Sequence, residues 1–268
     1  MKFYTCLLVI LLLMAIFSWK TGTGEHPVAV SPTGYHITGQ SFVHPGCMIE
    51  EDPCVTLSFS YPVFRGGSLL ADSLQSWVDK LIGQSGSGHR REIGQLADEW
   101  FDDYDRYREK IDDYSIPWSL ERHVELVYEN RQIISLHYHE FSFTGGVHPA
   151  QTDKFRSFDL SEGRSLTLAD LTNDREQYEQ LVRLAEEQFR YTYQMLEEDD
   201  LGSQGFRTID GTFNLPENFA FTDYGLLFYF NNFEIAPYAT RPIAIELPYD
   251  DLRFIIRTRW MNHEMTFI

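Results

Sequence analysis

Cysteine is scarce in this 268-residue chain, occurring only at Cys6, Cys47 and Cys54. The spacing of Cys47 and Cys54 fits no zinc knuckle, because no second pair of ligands follows. Basic residues are also few: 22 Lys and Arg stand against 40 Asp and Glu, for a formal net charge of −18. A surface of that sign repels nucleic-acid phosphates and anionic headgroups. It attracts cations or a basic protein, or serves solubility alone. The longest apolar run, Cys6 to Trp19, is about 14 residues, short of the roughly 20 a spanning helix needs. There is no internal repeat and no low-complexity tract.

Enzyme signatures are missing as well. Gly83-Gln-Ser-Gly-Ser87 lacks the last glycine of a nucleophile elbow and has no strand before it. His139-Glu140 and His263-Glu264 each begin a zinc-protease pattern, but Phe143 and Phe267 stand where the second His is required. No P-loop, dinucleotide fingerprint or EF-hand loop occurs. With 40 acids in the chain, a glycosidase pair of carboxylates cannot be singled out. No catalytic residue and no cofactor is expected.

What is present begins with Lys2, the apolar run and Lys20, followed by small residues to Gly24. This is the layout of a signal peptide over 1–24. Counted from Phe3, it is alternatively an uncleaved anchor over residues 3–19. Either way the remainder is expected to be exported, periplasmic or at the cell surface, touching a membrane only through that anchor. In an oxidising compartment Cys47 and Cys54 are placed to form a disulfide around Glu50-Glu-Asp-Pro53; otherwise they are two loop thiols.

Residues 25–35, with Pro27, Pro32 and Gly34, read as a tether. Val55 to Tyr61 alternates as a strand. Ser68 caps a helix to about Ile82, and a second helix covers roughly Arg90 to Asp113. Trp118–Tyr128 and Ile133–Phe143 form a hairpin, followed by a strand at Lys154–Asp159. A long helix runs from about Asp174 to Glu198, although Glu197-Glu-Asp-Asp200 is the wrong charge for a helix C-terminus and argues for an earlier end. Short strands follow at 218–222, 226–230 and 242–247. The expected fold is α+β, with antiparallel sheets, two helices in the N-terminal half (36–150) and one long helix in the C-terminal half (151–268).

The stretch Ile133 to Pro149 is the expected centre. Ile133, Ser135, His137, His139, Phe141 and Phe143 share one face of a strand that runs into the turn at Gly145-Gly146. His137, His139 and His148 are the metal candidates, two imidazoles pointing the same way and a third after a tight turn. The alternative is a solvated or aromatic-lined face, with His148 bonding backbone in the turn. The acid clusters at 98–105 and 197–200 are either calcium ligands or solvated faces.

Three segments in order carry a resemblance: Phe143-Thr-Gly-Gly-Val-His-Pro149; Phe158-Asp-Leu with Gly163 to Leu171; and Leu227 to Ala239 with Ile243 to Tyr249. Together they resemble the paired uncharacterised domains in the ectodomain of RsiV-type anti-sigma factors and in the non-catalytic part of the peptidoglycan deacetylase PdaC. The resemblance spans residues 35 to 255. It implies an α+β extracytoplasmic module of the kind that binds lysozyme in the RsiV type; with the acidic surface, the expected partner is a basic protein such as lysozyme, or peptidoglycan fragments. Gly145, Gly146, His148, Glu234 and Tyr238 are the motif residues that would face a ligand, or would only shape turns. Only Met1 and Lys2 precede the apolar segment counted from Phe3, and the deacetylase motifs are absent. The expectation is therefore a sensing or binding module without the cytoplasmic or catalytic parts. The alternative is a cell-wall glycan hydrolase with unassigned carboxylates.

Overall fold

The alternating stretches pair into one large sheet of six strands: β1 (Tyr35–Val43), β2 (Thr56–Phe64), β3 (Ser119–Glu129), β4 (Ile133–Phe143), β5 (Ala150–Asp159) and the short β6 (Arg164–Ser165), adjacent in that order. This computed structural model describes residues 34–47, 54–84, 88, 91–208, 211–236 and 241–261. The apolar segment, most of the tether, the tip of the loop at 48–53 and Tyr238 lie outside them. Among the described residues no helix is long and apolar enough to cross a membrane.

All neighbours in this sheet are antiparallel except β2 and β3, which are parallel. A parallel pair needs a crossover, and two helices supply it: α1 (Leu69–Ile82) and α2 (Ile93–Arg108). Ser68 caps α1 as its sequence predicts, its side chain accepting from the Ala71 N–H at 3.1 Å. Leu74 and Val78 of α1 are fully buried, and each such side chain stabilises the fold by about 1.5–3 kcal/mol. They pack with Leu57, Phe59, Leu120, Ile134 and Leu136 on one face of the sheet. The expected second helix is shorter at both ends.

The other face is covered by a second sheet, β7 (Phe219–Phe221), β8 (Gly225–Phe230) and β9 (Ile243–Pro248), all antiparallel. A Cβ at Gly225 would collide with the Leu247 carbonyl, so the β8–β9 approach requires glycine there. The short helix α3 (Leu168–Leu171) precedes α4 (Arg175–Thr192), which buries Leu181, Ala185 and Phe189. These join Phe219, Phe228, Ile245 and Trp260 in the second core. Helix α4 stops six residues before Glu198. Arg190 lies in its last turn, the favourable sign there, and Gln194 turns the chain with φ +54. A final short helix, α5 (Tyr249–Leu252), and a 3₁₀ turn (Thr258–Trp260) close the described chain.

Two expectations change. Strand β1 occupies residues read as tether or left unassigned; its mostly exposed edge position accounts for its weak apolar pattern. The disulfide is not formed: Cys47 and Cys54 are unbonded to each other. The ladder continues one step past β1, with the His44 N–H donating to Val55 O. The turn closed by the Cys47 N–H on His44 O then carries Cys47 off the strand line.

Candidate functional site

Coverage of β4 changes along its length. Ile133, Ile134, Ser135 and Leu136 are buried from both faces, whereas His137 and His139 are half-buried, at the rim of the second sheet. Ser135 Oγ and Ser157 Oγ lie 2.8 Å apart, and Ser157 Oγ accepts from the Phe221 N–H at 3.2 Å, which stitches the two sheets at the covered end. At the uncovered end Asp153 of β5 stands opposite His139 in the register.

Asp153 is 8% exposed and is the centre of the site. Its Oδ1 receives His137 Nε2 at 2.7 Å and His139 Nδ1 at 2.9 Å, while Tyr229 OH donates to Oδ2 at 2.9 Å. The opposite ring nitrogen of His137, Nδ1, meets Glu125 Oε1 at 3.0 Å, and the ring stacks on Phe155 with centroids 4.2 Å apart. Burial disfavours the charged form of His137, but the bonds to Asp153 and Glu125 outweigh it and raise its pKa. Burial acts against the Asp153 carboxylate too; the bonds from His137, His139 and Tyr229 overcome it and lower its pKa to about 2.

The backbone of Asp153 is held just as firmly. Beyond Phe158 and Asp159, no strand among the described residues pairs with the outer side of β5, and two asparagine amides take that place. Asn231 Oδ1 accepts the Asp153 N–H at 2.7 Å, and Asn218 Oδ1 accepts the Phe155 N–H at 2.6 Å. Both Nδ2 groups donate to Asp153 O at 2.9 Å. Glu234 in turn accepts the Asn231 N–H at 2.7 Å. An otherwise open edge, which would invite pairing by a foreign strand, is closed by side chains.

A groove of about 600 Å³ runs along this edge. Because side chains alternate along a strand, it takes Lys154 and Arg156 from one face of β5 and Phe155 from the other. Trp77, Arg207 and Asn214 contribute from outside the strand. Among the described residues Lys154, Arg156 and Arg207 make no ion pair; Lys154 lies over the Tyr138 ring, and Arg207 donates to Phe233 O. Burial lowers the Lys154 pKa.

The structure brings His137 and His139 together but completes their cluster with Asp153, not His148. His148 lies in the exposed loop after β4, outside the cluster. Gly145, in the same loop, has φ +79, and a Cβ there would strike the Tyr114 hydroxyl, so its glycine is required by the turn. Glu234 lines the groove; Tyr238 falls outside the described residues. Among the described residues the acid clusters at 98–105 and 197–200 form no group with metal-ligand spacing. Asp153 escapes a sequence reading that starts its strand one residue later. The alternation Asp153, Phe155, Ser157, Asp159 was the available signal.

Residues 49–151 match the family described as Deacetylase PdaC, and residues 169–250 match Protein of unknown function (DUF3298). No curated protein matches the chain. Solved structures share the fold, among them two from the DUF3298 family. One is a DUF3298-family member from Bacteroides fragilis: TM-score 0.63 and 21% identity, covering 85% of this chain and 95% of that one. The other is a DUF3298-family protein from Pseudomonas aeruginosa: TM-score 0.59 and 17% identity, covering 85% and 96%. In the present chain the first matched region supplies β2, β3, β4 and the turn, and the second supplies Asn218, Tyr229, Asn231 and Glu234. The chain thus carries the paired domains of unknown function, a PdaC-type region followed by a DUF3298 region.

Proposed function

We propose that the chain is an exported cell-envelope binding module whose groove beside β5 takes an acidic, wall-derived ligand. The observation that carries this reading is the placement of Lys154, Arg156 and Arg207 in one groove, without ion pairs among the described residues. In a chain of net charge −18, three cations without an ion pair among the described residues stand out against abundant acids. Arg and Lys recognise carboxylates by charge-assisted bonds. Trp77 offers apolar surface beside them, and Asn214 offers amide contacts. Stem-peptide carboxylates on a peptidoglycan fragment match that lining, and the apolar N-terminal run supports export.

A second reading, a basic wall hydrolase such as lysozyme as protein partner, is favoured by the net charge rather than by the groove. Hydrolysis by the chain itself has less support. Glu217 and Glu234 both line the groove, but Glu234 already accepts the Asn231 N–H.

Calorimetric titration of the full chain with purified muropeptides tests the proposal. Binding is expected for fragments with free stem carboxylates and should weaken when those carboxylates are amidated. Equal affinity for both would remove the acidic-ligand reading. Binding of lysozyme alone, weakening with salt, would favour the protein partner, and release of shortened glycan would identify an enzyme.

A further inference from the structure

We propose that His137, His139 and Asp153 form a binding site for a divalent transition-metal ion of the zinc class. One ligand atom from each lies within 4.8 Å of the other two, and this is the single group of that kind among the described residues. The donor set, two imidazoles and a carboxylate, suits Zn²⁺ with its fourth position open to solvent or a ligand.

Three features of the geometry separate this cluster from an ordinary polar contact. First, both imidazoles aim at the same atom, Asp153 Oδ1, at 2.7 and 2.9 Å. With metal–ligand bonds of about 2.0–2.1 Å, tetrahedral ligands stand roughly 3.3 Å apart. Each imidazole therefore has to withdraw by roughly half an ångström to admit the ion. Secondly, hydrogen-bond partners already stand behind two of the ligands. Glu125 holds His137 Nδ1, Tyr229 holds Asp153 Oδ2, and Asn231 and Asn218 bind the Asp153 backbone. A carboxylate on the far nitrogen of a ligating His is the usual outer partner in zinc sites. Thirdly, the cluster has access: the His139 side chain is 33% exposed, against 17% for His137 and 11% for Asp153.

Binding replaces the protons now shared between the imidazoles and Asp153 Oδ1. An imidazolium gives its proton to solvent, whereas a neutral ring carries its proton on the nitrogen away from the ion, so that Nε2 of His137, Nδ1 of His139 and Oδ1 of Asp153 are bare and coordinate it. The cluster shares Phe155 with the groove, whose ring stacks on His137 and also lines the groove wall. The ion and the groove are therefore neighbours without sharing a ligand residue.

The test is Zn²⁺ titration of the full chain in chelator-treated buffer, followed by calorimetry, with Co²⁺ spectra as a second readout. One ion per chain is expected, with visible Co²⁺ bands of nitrogen and oxygen ligation and no thiolate charge transfer. His139→Gln, at the most exposed ligand, should weaken binding by about ten-fold or more, and Glu125→Gln should weaken it less. Near-UV circular dichroism checks that both variants fold. Cys47→Ser with Cys54→Ser should leave affinity unchanged. Absence of binding, thiolate bands, or a His139→Gln variant that binds like wild type would each overturn the proposal.

Discussion

Asn231 pairs with the backbone of Asp153 as a strand would, accepting its N–H at 2.7 Å and donating to its carbonyl at 2.9 Å. One side chain thereby joins the motif after β8 to the edge of the large sheet, 78 positions away in sequence. Asn231→Ala leaves a half-buried N–H without its acceptor. An unsatisfied group of that kind costs about 1–3 kcal/mol. The expected outcome is a lower urea midpoint with unchanged slope, measured by far-UV circular dichroism.

Gly145 and Gly146 should respond differently to the same substitution. At Gly145 the positive φ and the Tyr114 hydroxyl both oppose a side chain, whereas a Cβ at Gly146 meets only His148 O at 3.9 Å. Tyr114 also accepts from Trp118 Nε1 at 3.0 Å, so displacing it disturbs the aromatic cluster beneath the loop. Gly145→Ala is expected to destabilise by about 1–3 kcal/mol, and Gly146→Ala to stay within about 0.5 kcal/mol of wild type. Thermal melts of both proteins decide the matter.

On the helix-covered face, Arg122 is buried and donates to Glu140 Oε2 at 2.7 Å and to Ile82 O at 2.8 Å. Tyr138 OH shares the same Glu140 oxygen at 2.7 Å. Removing one partner of a buried pair strands the other charge, at a cost of about 3–5 kcal/mol. Glu140→Ala should fall at the lower end, because Glu140 is 27% exposed. A double-mutant cycle with Arg122→Met reads the coupling, and a coupling near zero would contradict it.

Asp159 gives the fold an acid-sensitive joint. Its buried carboxylate accepts from the Ser161 N–H and hydroxyl and from the Glu162 N–H, and pairs with Arg259 at 2.5 Å. Burial opposes its charge, but those bonds lower its pKa. A lowered folded-state pKa stabilises above the unfolded carboxylate value of about 3.9 and loses that contribution as pH falls through the folded value. The difference in unfolding free energy between wild type and Asp159→Asn should therefore be constant near neutrality and shrink in acid. A difference that grows in acid would be inconsistent with this assignment.

Caps, helix-end charge and strand alternation were legible in the sequence, and the long-range contacts were not. Ser68 capped α1, the acids at 197–200 argued for an early end to α4, and alternation placed His137 and His139 on one face. Strand β1 lacked an apolar stripe because most of it is exposed. The parallel β2–β3 pair follows from two helices between them. Asp153 joined the histidines through strand register, and Asn218 and Asn231 reached it across 65 and 78 positions. Amide-to-backbone bonds at such separation leave no periodicity to read. The cysteine pair misled because spacing says nothing of the turn that carries Cys47 away.

The measurement that bears most directly on the proposed role of the groove is a comparison of wild type with Arg156→Glu, titrated with a muropeptide bearing free stem carboxylates. Arg156 makes no ion pair among the described residues and lines the groove, so reversing its charge should leave the fold intact. Affinity at least about ten-fold weaker is expected, equivalent to about 1.4 kcal/mol, with a shallower salt dependence. Unchanged affinity and salt dependence would contradict it.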